Sequence, residues 1–419
     1  MNRWLIFTGK FKNSHANDCL IFNFAFCFIA MRLFVLLSRV PYPLEKGDKL
    51  RAFHQVVQLS KKNEIVLCAL NPDRKLNKPE AFSALQPYCR SINFIDIPIA
   101  GRLWNIFKAF IKGLPLQVGY FYSCNAARKV NKLIEAYKPD HIYCQLLRTA
   151  EYVKHATIPK TIDYQDVFSY GIKRRMEKAP FYAKPVFKLE YKRLRKYESA
   201  IFDIFDHKTI ISIPDRDLIP HPEKQKIHVI PNGVDHDFFS PRNSTKKVEL
   251  VFTGNMAYPP NVDAAEFLVN EIMPLVWEKM PDAQVMIAGA TPDKRVTSLN
   301  SEKVTVTGWL DDIRDSYAGA KVFIAPMQIG TGLQNKLLEA MSMRVPSITT
   351  PLANDALQAV DGESILIGKD APTLATHIIN LLSNEALYRK ISDNGYTFVK
   401  QQYSWEEATD KLHQIIHKN

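Results

Sequence analysis

Residues 321–350 read KVFIAPMQIGTGLQNKLLEAMSMRVPSITT. An apolar run, Val322–Ala325, leads into a turn containing Gly330 and Gly332. Apolar positions then recur at helical spacing over Leu333–Met343, and a second apolar run follows over Ser347–Thr350. Two short buried-strand patterns joined by a helix describe a right-handed βαβ unit with parallel strands.

The plan repeats outward from this unit. Before it come strand patterns at Val248–Phe252, Gln284–Ala288 and Val304–Thr307, with helices expected over Ala264–Lys279 and Asp311–Ala318; after it, Thr373–Leu382 and Glu385–Gln402 read as helices. The N-terminal half has strand patterns at Leu33–Leu37, Glu64–Leu70, Ile92–Ile97, His141–Cys144, Thr161–Asp163 and Lys208–Ile213, with helices over Lys49–Lys61 and Ala126–Tyr137. The expected fold class is α/β, two tandem Rossmann-like doubly wound domains over 31–225 and 226–402, joined near His221–Asn243 where Pro, Asn and Asp accumulate.

Composition sets bounds on function. The 419 residues are 46% hydrophobic with 16 Gly and 25 Pro, which excludes a disordered or collagen-like chain. The formal charge of +12 is unevenly placed: residues 1–220 hold 36 Lys/Arg and 19 Asp/Glu, net +17, whereas 221–419 hold 19 and 24, net −5. An anionic partner is therefore expected on one half only. Six scattered cysteines with no CxxC pair read as reduced thiols rather than metal ligands. Ahead of the first domain, Leu20–Ala30 is apolar, but Arg32 interrupts the run before it reaches membrane-spanning length. Residues 1–30 are read as an N-terminal extension from a misassigned start, in preference to an anchor.

Doubly wound sheets bind ligands beyond the carboxyl ends of their strands. Gly254, directly after a strand, lets a backbone approach a ligand, and Asn255 follows it. In 330–336 the helix start offers free N–H groups and the positive end of a dipole, an anion site suited to a nucleotide pyrophosphate. Lys336 adds a charge there, and Glu339, at i+3, faces the same way as a candidate acceptor for ribose hydroxyls. The competing reading makes Gly330 and Gly332 an ordinary turn, and Lys336 and Glu339 an exposed pair.

The strings VIPNGVDHDFFSP (229–241), VFTGN (251–255), GWLDDIRDSYAGAKVFIAP (308–326), GTGLQNKLLEAMSMRVPSITT (330–350) and DGESILIG (361–368) resemble the C-terminal domain of glycosyltransferase family 4. PYPLEKGDKLRAFHQV (41–56) resembles the first loop and helix of a branch associated with bacterial exopolysaccharide assembly, and YSW (403–405) the family's end. The resemblance implies a GT-B architecture with the active site in the interdomain cleft, residues 403–419 returning to the first domain, and a retaining enzyme moving a sugar from a nucleotide-sugar donor to a growing glycan or lipid-linked acceptor. Lys336, Glu339 and Thr331 are the implied catalytic residues. Gly254, Asn255, Gly330, Gly332, Leu333, Gln334 and Asn335 would hold the donor, and Gly47, Asp48, Arg51 and Arg148 would shape the acceptor side.

The chain departs from the family pattern at several positions. Thr331 stands where the first of two glutamates is usual, so only Glu339 carries over as a carboxylate. Asn255 and Pro260 stand where an arginine and a lysine commonly bracket the diphosphate, leaving Lys336 to supply that charge. Tyr143 and Gln145 stand where a histidine is frequent, with Arg148 the nearest substitute. With no DxD-like pair in a suitable loop, and Asp311-Asp312 read as capping a helix, transfer without a metal or other cofactor is expected.

Two basic amphipathic stretches suit an anionic inner-leaflet surface: Phe187–Ile201, with Phe187, Tyr191, Leu194 and Ile201 on one face and Lys173, Arg174, Arg175 and Lys178 upstream, and Leu103–Lys112 with Trp104, Phe107 and Phe110. The alternative is that each packs its apolar face on its own core. The expected location is cytoplasmic, peripheral on the inner face of the membrane. A non-catalytic GT-B protein, a GT-B epimerase and a nucleic-acid-binding protein are the competing classes; the last lacks any recognisable motif, so no nucleic-acid partner is expected.

Overall fold

The computed structural model describes residues 30–44, 46–329 and 332–418. Sequence expectations that fall on 1–29, Gly330 and Thr331 lie outside the described residues.

The first sheet has seven parallel strands: β1 (Met31–Leu37), β2 (Asn63–Asn71), β3 (Ser91–Asp96), β4 (His141–Gln145), β5 (Lys160–Asp163), β6 (His207–Ile210) and β7 (His228–Val229), in the order β3-β2-β1-β4-β5-β6-β7. The second has six: β8 (Val248–Thr253), β9 (Val285–Ala288), β10 (Val304–Gly308), β11 (Ala320–Ala325), β12 (Ser347–Thr349) and β13 (Leu366–Ile367), in the order β10-β9-β8-β11-β12-β13. Every pairing is parallel, and the order reverses at β1/β4 and at β8/β11, which is the expected pair of doubly wound domains.

Burial of both faces explains the unbroken apolar strands. Phe34 and Leu36 join Cys68 and Leu70 in one core layer, while Leu33, Val35 and Leu37 join Leu67 and Ala69 in the other. The last helix, Trp405–Ile416, leaves the second domain and packs on the helix Gly47–Ser60, where Leu412 and Ile416 enter the first domain's core.

Three elements differ from their sequence reading. The helix expected over Ala264–Lys279 is three pieces, Pro259–Phe267, a π-helical Leu268–Ile272 and Met273–Trp277, because Pro274 has no N–H to continue the ladder. The strand expected to reach Ile213 stops at Ile210, since the Ser212 hydroxyl accepts from the Asp215 amide and caps the helix Ile213–Leu218. The helix expected from Asp311 starts at Arg314, and Asp312 instead accepts from the Arg314 amide at 3.0 Å and its guanidinium.

Candidate active site

The loops at the carboxyl ends of both sheets enclose one cleft of about 1050 Å³. Gly47, Asp48 and Gln165 line it from the first domain; Gly254, Asn255, Trp309, Gly332–Lys336 and Glu339 line it from the second.

The floor depends on two glycines. Gly254 and Gly289 directly follow β8 and β9, and a Cβ on Gly289 would collide with the Gly254 carbonyl. A Cβ on Gly254 would stand 2.7 Å from Asn261 Nδ2 and 3.2 Å from Lys336 Nζ, so only the bare backbone lets the lysine reach over the end of β8. Lys336 Nζ donates to Asn261 Oδ1 at 2.6 Å and lies 4.7 Å from the Phe252 ring centroid. The Asn261 amide donates to the Asn255 carbonyl at 2.9 Å, which turns its oxygen toward the lysine. Burial pulls the Lys336 ammonium down to about 7, against an opposing pull from the Glu339 carboxylate.

Glu339 is not the solvent-facing partner of Lys336. Its Oε2 accepts from the Tyr317 hydroxyl at 2.6 Å, and that hydroxyl lies 2.8 Å from Thr253 Oγ1. Burial raises the carboxyl's pKa, while Tyr317 and Lys336 oppose the rise. The exposed-pair reading therefore fails, because both side chains are turned inward to separate partners. The helix that carries them, Asn335–Ser342, starts at the cleft without a side-chain cap, and within its first turn the Leu337 amide donates to the Gln334 carbonyl at 2.9 Å. A Cβ at Gly332 or Gly47 would meet nothing within 4 Å; both border open space in the cleft.

The acceptor-side expectations divide. Asp48 lines the cleft, its carboxylate held at 2.8 Å by Arg39. Arg51 does not face the cleft. Only 1% exposed, it donates through Nε to Asp163 Oδ2 at 2.7 Å and through Nη1 to Asn232 Oδ1 at 2.9 Å. Asn232 in turn donates to Asn335 Oδ1 at 3.1 Å, so one buried guanidinium ties the first domain, the linker and the Lys336-bearing helix together. Tyr143 completes the network by donating to Asp163 at 2.9 Å. Gln145 is buried and donates to the Asp48 carbonyl at 3.3 Å. Arg148 lies outside the cleft lining, between the rings of Phe121 and Phe168 at 4.6 and 4.7 Å, and burial lowers its pKa to about 10. Leu333 packs against the second core, and Pro260 opens a helix beside Asn261. Asn261, Tyr317, Gly289, Asn232 and Asp163 were not singled out by the sequence; only Gly289, a glycine closing a strand as Gly254 does, carries a local signal.

Asp311 and Asp312 both line the cleft, but Asp312 is engaged by Arg314 and by Arg242 at 3.1 Å. Among the described residues no three His, Cys, Asp or Glu side chains converge as a metal site, and no helix is long and apolar enough to cross a membrane.

Known proteins resemble the chain in sequence and in fold. Residues 247–384, the segment bearing Gly254, Lys336 and Glu339, match the family model described as glycosyl transferases group 1. A Klebsiella pneumoniae protein described as an uncharacterized 44.6 kDa protein in the cps region is 24% identical over 400 residues, covering 91% of this chain and 98% of its own length. Sucrose-phosphate synthase from Thermosynechococcus elongatus superposes with a TM-score of 0.67 at 18% identity, over 91% of this chain and 98% of that one. HepE of Anabaena, crystallised with UDP and glucose, superposes with a TM-score of 0.62 at 12% identity, over 92% and 98%. Residues 247–384 of the second domain thus resemble group 1 glycosyl transferases, and the chain as a whole has the GT-B fold.

Proposed function

We propose that the protein is a retaining glycosyltransferase that moves a sugar, of hexose type, from a nucleotide-sugar donor to a growing glycan or lipid-linked acceptor during cell-surface polysaccharide synthesis, working at the cytoplasmic face of the membrane. The observation that carries the reading is the Lys336–Asn261–Gly254 cluster at an uncapped helix start, inside the segment that matches the family model. The HepE structures with UDP and with UDP-glucose and the cps-region relative support the donor class and the polysaccharide setting.

In this reading the donor diphosphate lies over Gly254, where the Asn335–Lys336 helix start and the Lys336 ammonium meet its charge. As the anomeric bond breaks, the sugar gains oxocarbenium character and the diphosphate gains the charge that these groups are placed to hold. Tyr317 orients Glu339 so that its carboxylate accepts from the ribose hydroxyls. Trp309, 65% exposed on the cleft wall, offers a face for the base. The charge is supplied by backbone and lysine, and transfer proceeds without a metal ion.

A thermal-shift panel of UDP-, GDP- and ADP-sugars, run with and without EDTA, tests the site. At least one sugar nucleotide should raise the melting temperature of the wild type equally in both conditions, and Glu339→Ala should abolish the rise. If none does, or if Glu339→Ala responds as the wild type does, the assignment is wrong; an EDTA-sensitive response would refute the metal-free reading.

A further inference from the structure

The two amphipathic stretches have opposite fates. On the helix Lys184–Phe202, Leu194 and Ile201 are buried in the first domain's core, with Phe187 and Tyr191 packed against it. On the helix Ile99–Ile111, Arg102 and Ala109 supply the packed side. Gly119 admits Ala109 against the helix Leu116–Phe121, and Arg102 holds the Pro72 and Ile97 carbonyls and the Tyr120 hydroxyl. The opposite side keeps Leu103, Trp104, Phe107, Phe110 and Ile111 in solvent, Leu103 at 72% and Ile111 at 68%.

The ridge continues onto the neighbouring helix. Arg193 donates to the Phe110 carbonyl at 2.9 Å and the Leu114 carbonyl at 3.3 Å, and Val186 and Leu189, exposed, share its stripe at i, i+3 and i+7. Phe181, 84% exposed, and Tyr182 extend the patch through the preceding turn.

Charge identifies the occupant. Residues 99–112 contain no Asp or Glu, and 181–196 contain only Glu190, which is buried against the Leu116 and Gln117 amides. Within these two segments the exposed charges are therefore all cationic, Lys108, Lys112, Lys184, Lys188, Lys192 and Lys196 among them, with Glu177 the exposed acid just before the turn. A second copy seated symmetrically here would bring these basic rims together. An anionic lipid surface meets both features, since apolar and aromatic side chains enter the headgroup boundary while lysines reach the phosphates.

We propose that the Ile99–Ile111 ridge with the 181–189 turn is a docking surface for an anionic lipid bilayer. It lies on the acceptor side of the cleft. Pro72 and Tyr120, which Arg102 ties to the start of the ridge helix, line a pocket of about 220 Å³ with Arg39, Lys46 and Lys49, and Lys46 also borders the main cleft. The inference rests on the transferase reading for its biological sense and is tested without it.

Sedimentation of the full chain with phosphatidylcholine vesicles, with and without about 30 mol% phosphatidylglycerol, at about 0.05 and 0.5 M salt, reads the docking directly. The wild type should bind the anionic vesicles at least about tenfold more tightly at low salt, and Leu103→Glu/Phe107→Glu should lose about tenfold or more with its melting temperature unchanged. No binding at low salt overturns the proposal, as does binding retained by the double variant. So does a dimer seen by light scattering that the same variant dissociates, which would make the ridge a self-association surface. Vesicle binding without sugar-nucleotide stabilisation would sink the transferase reading and leave the docking intact.

Discussion

At Lys336 the chemistry turns on a proton. With burial lowering its pKa to about 7, the ammonium is fully present only below neutrality, and a bound diphosphate would hold the proton on it. Donor affinity should therefore be flat below pH 7 and fall by up to about tenfold per unit above it, whereas Lys336→Met should bind weakly with no such slope. Affinity for a non-titrating sugar nucleotide measured from pH 6 to 9 checks this; a slope that survives in Lys336→Met would assign it to another group. The sign for stability runs the same way. Because the folded pKa lies below the ordinary lysine value of 10.5, the unfolded chain holds more protons between about 7 and 10.5, so the unliganded protein gains stability as pH rises through that window. Lys336 and Glu339 were legible in the sequence because a helix start after a buried strand specifies their place. Asn261 and Tyr317 were not, since their roles exist only when β8, β11 and the intervening helices bring distant positions to Lys336 and to Glu339.

Elements were easiest to read where a local chemical rule acted alone. Strand existence followed from the apolar runs, but strand ends followed from capping: nothing in an apolar pattern announces that Ser212 closes on Asp215 and ends β6 at Ile210. The amphipathic helices show the same limit, for periodicity marks an apolar stripe without saying whether core or solvent faces it. The helix Gly47–Ser60 was recognised, yet its Arg51 points into the protein because Asp163 at the end of β5 needs a buried counter-charge. Arg51→Met should leave that carboxylate unpaired and cost about 3–5 kcal/mol in chemical denaturation, with most of the loss recovered in Arg51→Met/Asp163→Asn. Asn232→Ala removes the link to Asn335 and leaves the buried Arg51 Nη1 without its acceptor, although Asp163 still balances the charge. It should cost about 1–3 kcal/mol in denaturation and weaken affinity for a sugar nucleotide as well; an unchanged affinity would mean that Asn232 is only structural.

Across the whole molecule, the charge asymmetry and the two-domain plan emerge from one division of labour. The +17 half presents cations along the ridge, while the −5 half concentrates positive potential at a helix start and one lysine. Among the described residues the two halves are fastened, besides other contacts, at the Arg51–Asn232–Asn335 chain and at the C-terminal crossing. There Val234 pairs with Ser404, Gly233 leaves room for the Trp405 backbone, and Trp405 stacks on His54 at 4.8 Å. Leu412 is fully buried among residues of the first domain though far from them in sequence, so the first domain's core is complete only once this helix has docked. Leu412→Asp places an unpaired carboxylate in that core and should destabilise the first domain selectively, by roughly 3–5 kcal/mol. Limited proteolysis should then cut within 31–225 while sparing a fragment that spans the second domain. If both domains are digested at the same rate, their folding is one cooperative unit and the last helix is a strut shared by both rather than a missing piece of the first.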